Sequence, residues 1–385
     1  MKKNCPICNS KNLYTFLQRK QVPVHQNLLM PSEQDAIEIQ RGDLDLCICN
    51  DCNFIFNQTF DFSKLSYGEH YDNTQDISPY FDSYLSELSR KIILEKNIKN
   101  STIVEIGCGK GIFLKKLLTV KNWGNVGFGF DPSYIGKKQQ LNGKLNFEKR
   151  YYDIDCAKIK ADVIVCRHVI EHIENPLNLL KLIRKSLGNS KAHIFFETPT
   201  VDWILKNQII YDFFYEHCSY FNLKSLATAF QLSGFKVINI HTVFQDQYMW
   251  LEAIPSNIDI KISKTEETFA LAKKFANEEN KLITKWIQKI KEITKNDVIS
   301  IWGAGAKGVT FCNLIDPEQK FFKFVIDLNP KKHGKFIPGT GHKIINFEDI
   351  PSLKITKVIV MNSNYYRENS ELLKKSNIKI ELLNM

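Results

Sequence analysis

Four cysteines stand in two C-x-x-C pairs, Cys5 and Cys8 in CPIC and Cys49 and Cys52 in CNDC. Each pair offers two thiolates to one small cation, and two pairs complete a tetrahedral zinc shell. Four thiolates leave no open position, so an ion held there is structural. Cys47 and His25 are spare donors near the pairs. Further along, the run EIGCGKG carries Glu105, Gly107, Gly109 and Gly111 between a strand-like and a helix-like stretch. Glycines in such a loop permit positive φ and let the backbone approach a ligand. The next strand-like run, VGFGFD, ends at Asp131, placed to accept both hydroxyls of a ribose. Asp153, after the Tyr151-Tyr152 pair, is a candidate contact for adenine.

Two segments suit proton transfer. RHVIEH brings His168 and His172 to the end of a strand-like run. FFYEHCSYF surrounds Glu216 and His217 with aromatic residues, among them Tyr215 and Tyr220. Histidine titrates near neutrality, and burial among aromatics tunes both it and a neighbouring carboxylate. The alternative is a helix N-terminus where Glu216 favours the dipole and His217 merely packs. A second glycine unit, GAGAKG at 303–308, has a backbone and a cation, Lys307, suited to phosphate. The alternative for that unit is a plain strand-to-helix turn.

Elements must position these residues. A chain of 385 residues implies two or three domains. Strand-like and helix-like runs alternate through the middle and again at the end, which predicts α/β units with parallel sheets and ligands beyond the strands' carboxyl ends. The divisions expected are a zinc-binding lobe over 1–66, a ligand-binding α/β domain over 67–255, a connecting helix over 256–295 and a smaller Rossmann-like domain over 296–385. Ser263 and Glu266 suggest a capping box at the start of that helix. Phe275, Leu282, Trp286, Ile290 and Ile293 recur along it at helical spacing and predict a packing face.

The net charge is +10. The lysines are spread along the chain, whereas nucleic-acid binding usually wants a dense basic patch interleaved with aromatics, so no nucleic-acid partner is expected. No apolar run approaches the ~18 residues of a membrane helix, and no secretory leader is apparent, so a cytoplasmic location with reduced thiols is expected.

The loop E-x-G-x-G-x-G followed by a strand ending in an acid resembles motif I of class I S-adenosylmethionine-dependent methyltransferases. The whole order is similar to the three-domain, zinc-containing sugar C-methyltransferase family: CPIC, CNDCNFIFN, YGEHYDNTQDISPY, EIGCGKG, EHCSYFN, then WGAGAKG with DLNPKKHGKFIPGT. That resemblance implies a class I methyltransferase domain, S-adenosylmethionine, structural Zn²⁺ and a nucleotide-linked keto-deoxysugar. It implies His217 as the base that forms an enolate, Glu216 as its support, and His172 and Tyr71 at the sugar and the developing oxyanion. Tyr215, Tyr220 and Lys307 would face the substrate. Glu105, the three glycines, Asp131, Asp153 and His168 would face the cofactor. Two features depart from the family pattern: Phe214 stands where a tyrosine is usual, and RHVIEHIENP looks like a generic methyltransferase segment. The competing expectations are an O- or N-methyltransferase on a sugar precursor of a surface glycan, and a non-catalytic, zinc-bearing nucleotide-binding protein.

Overall fold

The computed structural model describes residues 2–68, 71–72, 77–256 and 267–384. In the N-terminal lobe, β1 (Leu13–Pro23) pairs antiparallel with β2 (Arg41–Cys49) around a short α1 (Glu33–Ile37). Ser32 caps that helix, its hydroxyl accepting the Asp35 N–H. The second cysteine pair turns the chain into β3 (Ile55–Asn57), which pairs with β2.

The middle domain opens with α2 (Pro79–Arg90), started by Pro79 and capped by Ser78. Then come β4 (Thr102–Ile106), α3 (Ile112–Thr119), β5 (Val126–Phe130), β6 (Gln139–Gln140), β7 (Leu145–Glu148), β8 (Val163–Arg167), α4 (Pro176–Leu187) and β9 (His193–Pro199). They are followed by α5 (Val201–Lys206), β10 (Ser219–Tyr220), α6 (Leu223–Leu232), β11 (Phe235–Val243) and β12 (Tyr248–Pro255). The sheet order is β11-β12-β9-β8-β4-β5-β7-β6. Only the five strands β9, β8, β4, β5 and β7 are parallel, and β12 runs against both of its neighbours. The wholly parallel sheet expected from the alternation is therefore mixed: a tight turn after β11 lets β12 return beside it. From β4 the order runs one way to β5 and the other way to β8, so the crevice lies beyond the end of β4.

Strand β10 does not join this sheet. It pairs with β3 and completes a four-stranded sheet in the N-terminal lobe, order β1-β2-β3-β10. Lobe and middle domain share a core, in which Phe54 and Phe56 pack in one cluster with Phe221, Leu226 and Phe230.

Helix α7 (Glu267–Ile293) buries Ala272, Phe275 and Ile290, and Leu282, Trp286 and Ile293 pack beside them. Each fully buried Phe or Ile is worth ~2 kcal/mol. The capping box at Ser263 and Glu266 falls outside the described residues. The C-terminal domain carries β13 (Ile299–Trp302), α8 (Ala306–Ile315), β14 (Phe324–Ile326), β15 (Lys343–Ile345), β16 (Lys357–Val360), α9 (Tyr366–Lys375) and β17 (Glu381–Asn384). They form a parallel sheet of order β15-β14-β13-β16-β17. The lobe reaches this domain too: the Gly339 N–H donates to the Ala36 carbonyl at 2.7 Å, and Arg41 donates to the Gly339 carbonyl at 2.8 Å. Among the described residues no helix is long and apolar enough to cross a membrane.

Candidate active site: two cavities with a shared wall

The four cysteines come together although forty residues separate the pairs. The Cys5 and Cys52 sulfurs lie 3.5 Å apart, those of Cys8 and Cys49 3.4 Å apart, and all four fall within 4.8 Å of one another. A tetrahedral ion with ~2.3 Å bonds to sulfur needs thiolates ~3.8 Å apart, so the donor set fits one closed site. Cys47 and His25 are not in it. Cys47 is buried outside the cluster, in the core beside Phe54 and Phe56, and both ring nitrogens of His25 are engaged elsewhere.

Beyond β4 lies a cavity of about 260 Å³ lined by Glu105, Gly107, Gly109, Phe130, Asp131 and Tyr151, with Tyr152 behind them. The glycines divide the work. A Cβ on Gly107 would meet Val169 at 2.1 Å and one on Gly111 would meet Phe147 at 2.4 Å, so those two are needed for packing. Gly109, at φ +52°, has open space where its Cβ would be and leaves room for a ligand. The Asp131 carboxylate accepts the Gly109 N–H at 2.8 Å on one oxygen and the Ser133 N–H and hydroxyl on the other. One lone pair remains for a ribose hydroxyl. Glu105 accepts the Leu114 N–H at 3.1 Å, and burial pushes its carboxyl up to about 8. A glycine cradle, an acid and an aromatic wall fit S-adenosylmethionine.

A second cavity, of about 280 Å³, lies between the middle and C-terminal domains. Its lining includes Glu171, Phe214, His217, Lys307 and Asp327. Tyr71, His168 and His172 line both cavities, so they form the wall between them. Tyr71 is carried by the stretch that leaves the lobe, and burial, with the nearby charge of Glu216, pushes its hydroxyl well above the usual range and keeps it a donor. His168, at φ +53°, is held by Glu197 at 2.7 Å and Glu171 at 3.5 Å. Burial opposes its charge, but the two carboxylates outweigh burial and raise its pKa. Burial opposes the charges of Glu171 and Glu197 as well. His168 offsets it for the first and Arg167 with His168 for the second, and both fall to about 2.

His172 Nδ1 lies 2.9 Å from the Glu216 carbonyl, which can only accept, so Nδ1 carries the hydrogen and Nε2 is the ring's acceptor. His217 packs 4.2 Å from the Phe214 ring and 4.7 Å from the His172 ring. Burial and then the neighbouring His172 hold it well below the usual histidine range, so it is neutral at pH 7.

Several residues expected at the site are elsewhere. Glu216 lines neither cavity. It is fully buried, accepts the Gln26 N–H at 3.0 Å and pairs with His25 Nδ1 at 2.9 Å. The Ser66 N–H donates to the other His25 nitrogen, so His25 must donate to Glu216. Glu216 thus ties lobe to domain instead of supporting His217 directly, and no helix begins there. Tyr215 also faces the lobe: its hydroxyl accepts the Asp61 N–H at 2.9 Å, and only a glycine at 42 leaves room for its ring. The Tyr220 hydroxyl turns back to the Phe214 backbone at 3.0 and 3.1 Å. Asp153 is spent on Arg150 and on the N–H groups of Asp155 and Cys156, away from the cavity beyond β4. Lys307 does line the second cavity, over the Trp203 ring and 3.1 Å from Asp212. Reading the sequence marked His25 only as a spare metal donor and missed the roles of Glu171, Glu197, Lys332 and Asp327. Of these only Asp327 had a local signal, a strand ending in an acid after a glycine loop.

Fold and site together define a methyltransferase of the S-adenosylmethionine-dependent class. Residues 79–240 match a family described as a methyltransferase domain, and residues 257–377 match a C-methyltransferase C-terminal domain. A tRNA U34 carboxymethyltransferase of Campylobacter fetus subsp. fetus (strain 82-40) is 28% identical over 171 residues, 43% of this chain and 56% of that one. The C-methyltransferase NovU of Streptomyces niveus is 26% identical over 199 residues, 47% of this chain and 46% of that one. The chain thus spans about half the length of these curated relatives. A Burkholderia thailandensis 1,6-didemethyltoxoflavin-N1-methyltransferase structure, with S-adenosylhomocysteine bound, aligns at TM-score 0.36 and 12% identity, over 46% of this chain and 81% of that one.

Proposed function

We propose that the protein methylates a carbon of a nucleotide-linked keto-deoxysugar. The observation that carries this reading is the shared wall: a cofactor-type cavity and an acceptor cavity meet at Tyr71, His168 and His172. Bound S-adenosylmethionine would supply an electrophilic methyl group, held by the Gly109 backbone, Asp131 and the Tyr151–Tyr152 face. The neutral His217 takes the acidic proton beside the ketone, because an unprotonated imidazole is the base a site at pH 7 needs. Tyr71, kept protonated, donates to the oxygen on which charge develops. The second glycine loop and Lys307 face the same cavity and suit the diphosphate of the substrate.

The test is exchange and transfer in one tube. With nucleotide-linked 4-keto sugars in D₂O, the wild type should exchange the proton beside the ketone, and with labelled cofactor it should form a new carbon–methyl bond seen by NMR. His217→Ala should lower both by ~10²-fold or more while cofactor affinity holds. Label on oxygen or nitrogen would replace this reading with O- or N-methylation of a sugar. A tRNA acceptor is a second reading, favoured by the tRNA U34 carboxymethyltransferase relative. A tRNA transcript in the same assay decides it.

For the cysteine cluster we infer a structural zinc ion. Strong chelation should melt the N-terminal lobe before the rest of the chain, and a melting curve indifferent to chelators removes the ion. Such thiolates persist in a reducing compartment, which favours the cytoplasm.

A further inference from the structure

We propose that Glu171, His172 and His217 form a second divalent-metal site, open to the acceptor cavity and separate from the cysteine cluster. One donor atom from each of the three lies within 4.8 Å of the other two, and all three side chains line the same cavity. His172 has committed Nδ1 to the Glu216 carbonyl at 2.9 Å, and that outer-shell bond fixes a metal-binding imidazole with Nε2 forward. Glu171 is fixed by the Thr198 hydroxyl, which donates to Oε2 at 2.9 Å. Its other oxygen, Oε1, is buried, faces the His168 imidazole at 3.5 Å and accepts no hydrogen bond among the described residues. That long contact leaves Oε1 lone pairs that a metal ion would use.

The donor set sets the ligand class. Two imidazoles and one carboxylate suit Zn²⁺, Co²⁺ or Ni²⁺ and not the oxygen-seeking Mg²⁺ or Ca²⁺. Three protein donors leave one position facing the cavity, unlike the closed shell of four thiolates. Bonds of ~2.1 Å put tetrahedral donors ~3.4 Å apart, a spacing inside the 4.8 Å within which the three ligand atoms already lie. The inhibitory consequence rests on the base assignment given above: an ion on His217 occupies the lone pair that takes the proton, so metal binding and methyl transfer exclude each other.

The experiment uses the full chain with its cysteine site loaded with zinc. Titration with Co²⁺, followed by visible absorption and metal analysis, should show one further equivalent per chain. His217→Ala and the bulkier His217→Gln should weaken that equivalent at least tenfold, with cysteine-bound zinc and S-adenosylhomocysteine affinity retained as evidence of folding. Absence of a further equivalent, or one that survives both variants, overturns the site. A bound ion that leaves proton exchange unaltered keeps the site and overturns the inhibition and the base role of His217 together.

Discussion

The chain builds one device twice. In the middle domain the Gly107 N–H donates to the Phe130 carbonyl at 2.8 Å, the Gly109 N–H to Asp131 Oδ2 at 2.8 Å and the Ser133 N–H to Asp131 Oδ1 at 2.7 Å. In the C-terminal domain the Gly303 N–H donates to the Ile326 carbonyl at 2.7 Å, the Ala304 N–H to Asp327 Oδ2 at 2.8 Å and the Asn329 N–H to Asp327 Oδ1 at 2.9 Å. Strand, glycine loop, helix, strand and acid recur with nearly the same hydrogen bonds. The difference is charge. Lys332 is buried 3.3 Å from Asp327 and also donates to the Ala304 carbonyl at 3.1 Å. Among the described residues no basic side chain is paired with Asp131. One backbone geometry therefore gives an acid left open to a hydroxyl-bearing or cationic ligand, and an acid already neutralised from within.

The largest expected effect breaks that neutralisation. Lys332→Ala should cost ~3–5 kcal/mol, because it leaves a largely buried carboxylate unpaired. A urea midpoint reports it, and adding Asp327→Asn should recover most of the loss. An unchanged midpoint would mean that the two acids do not differ as described. Next, Asp131→Ala should weaken S-adenosylmethionine by ~10²-fold, the scale of a charged hydrogen bond. Asp327→Ala should leave that affinity alone, as calorimetry can check. Equal losses would erase the division of labour.

Smaller effects separate the loops by space. A Cβ on Gly308 would meet the Gly303 carbonyl oxygen at 1.8 Å, so Gly308→Ala should cost ~1–3 kcal/mol as the helix shifts off the loop. Gly109→Ala meets open space and bears only a positive-φ penalty, ~1 kcal/mol. Thermal melts of both variants rank them, and the reverse order would refute the packing argument. The smallest change is one of slope. Glu105 holds its proton up to about 8 in the folded chain against an ordinary 4.5, so between these values the folded state binds more protons and stability falls as pH rises. Glu105→Gln should flatten that stretch of the profile. Glu171 and Glu197, at about 2, run the other way: their contribution is complete above the ordinary carboxylate value and is lost as pH falls from there to about 2.

The cavity beyond β4 was legible because its parts are local. Glu105 on β4, the glycines of the loop after it and Asp131 at the end of the neighbouring β5 are close in sequence, so spacing along the chain is spacing in the fold. The FFYEHCSYF cluster was only half legible. Aromatic crowding around an acid and a histidine looks alike whether it lines a cavity or seals a seam. Phe214 and His217 face the cavity, whereas Tyr215 and Glu216 face the lobe. Nothing local marks His25 either, since its partner Glu216 stands 191 positions away. The wall of buried charges around His168 was hidden for the same reason: Arg167 and Glu197 meet across paired strands.

The pairing of β3 with β10 also bears on synthesis. The lobe's first three strands are complete by Asn57, yet their fourth partner is Ser219–Tyr220. At the ~5–20 residues per second of a translating ribosome, the edge of β3 waits roughly 10–30 s for its neighbour. Through that interval it is an open template for another chain. An ion captured early by the cysteines would hold the nascent lobe in register until its last strand emerges.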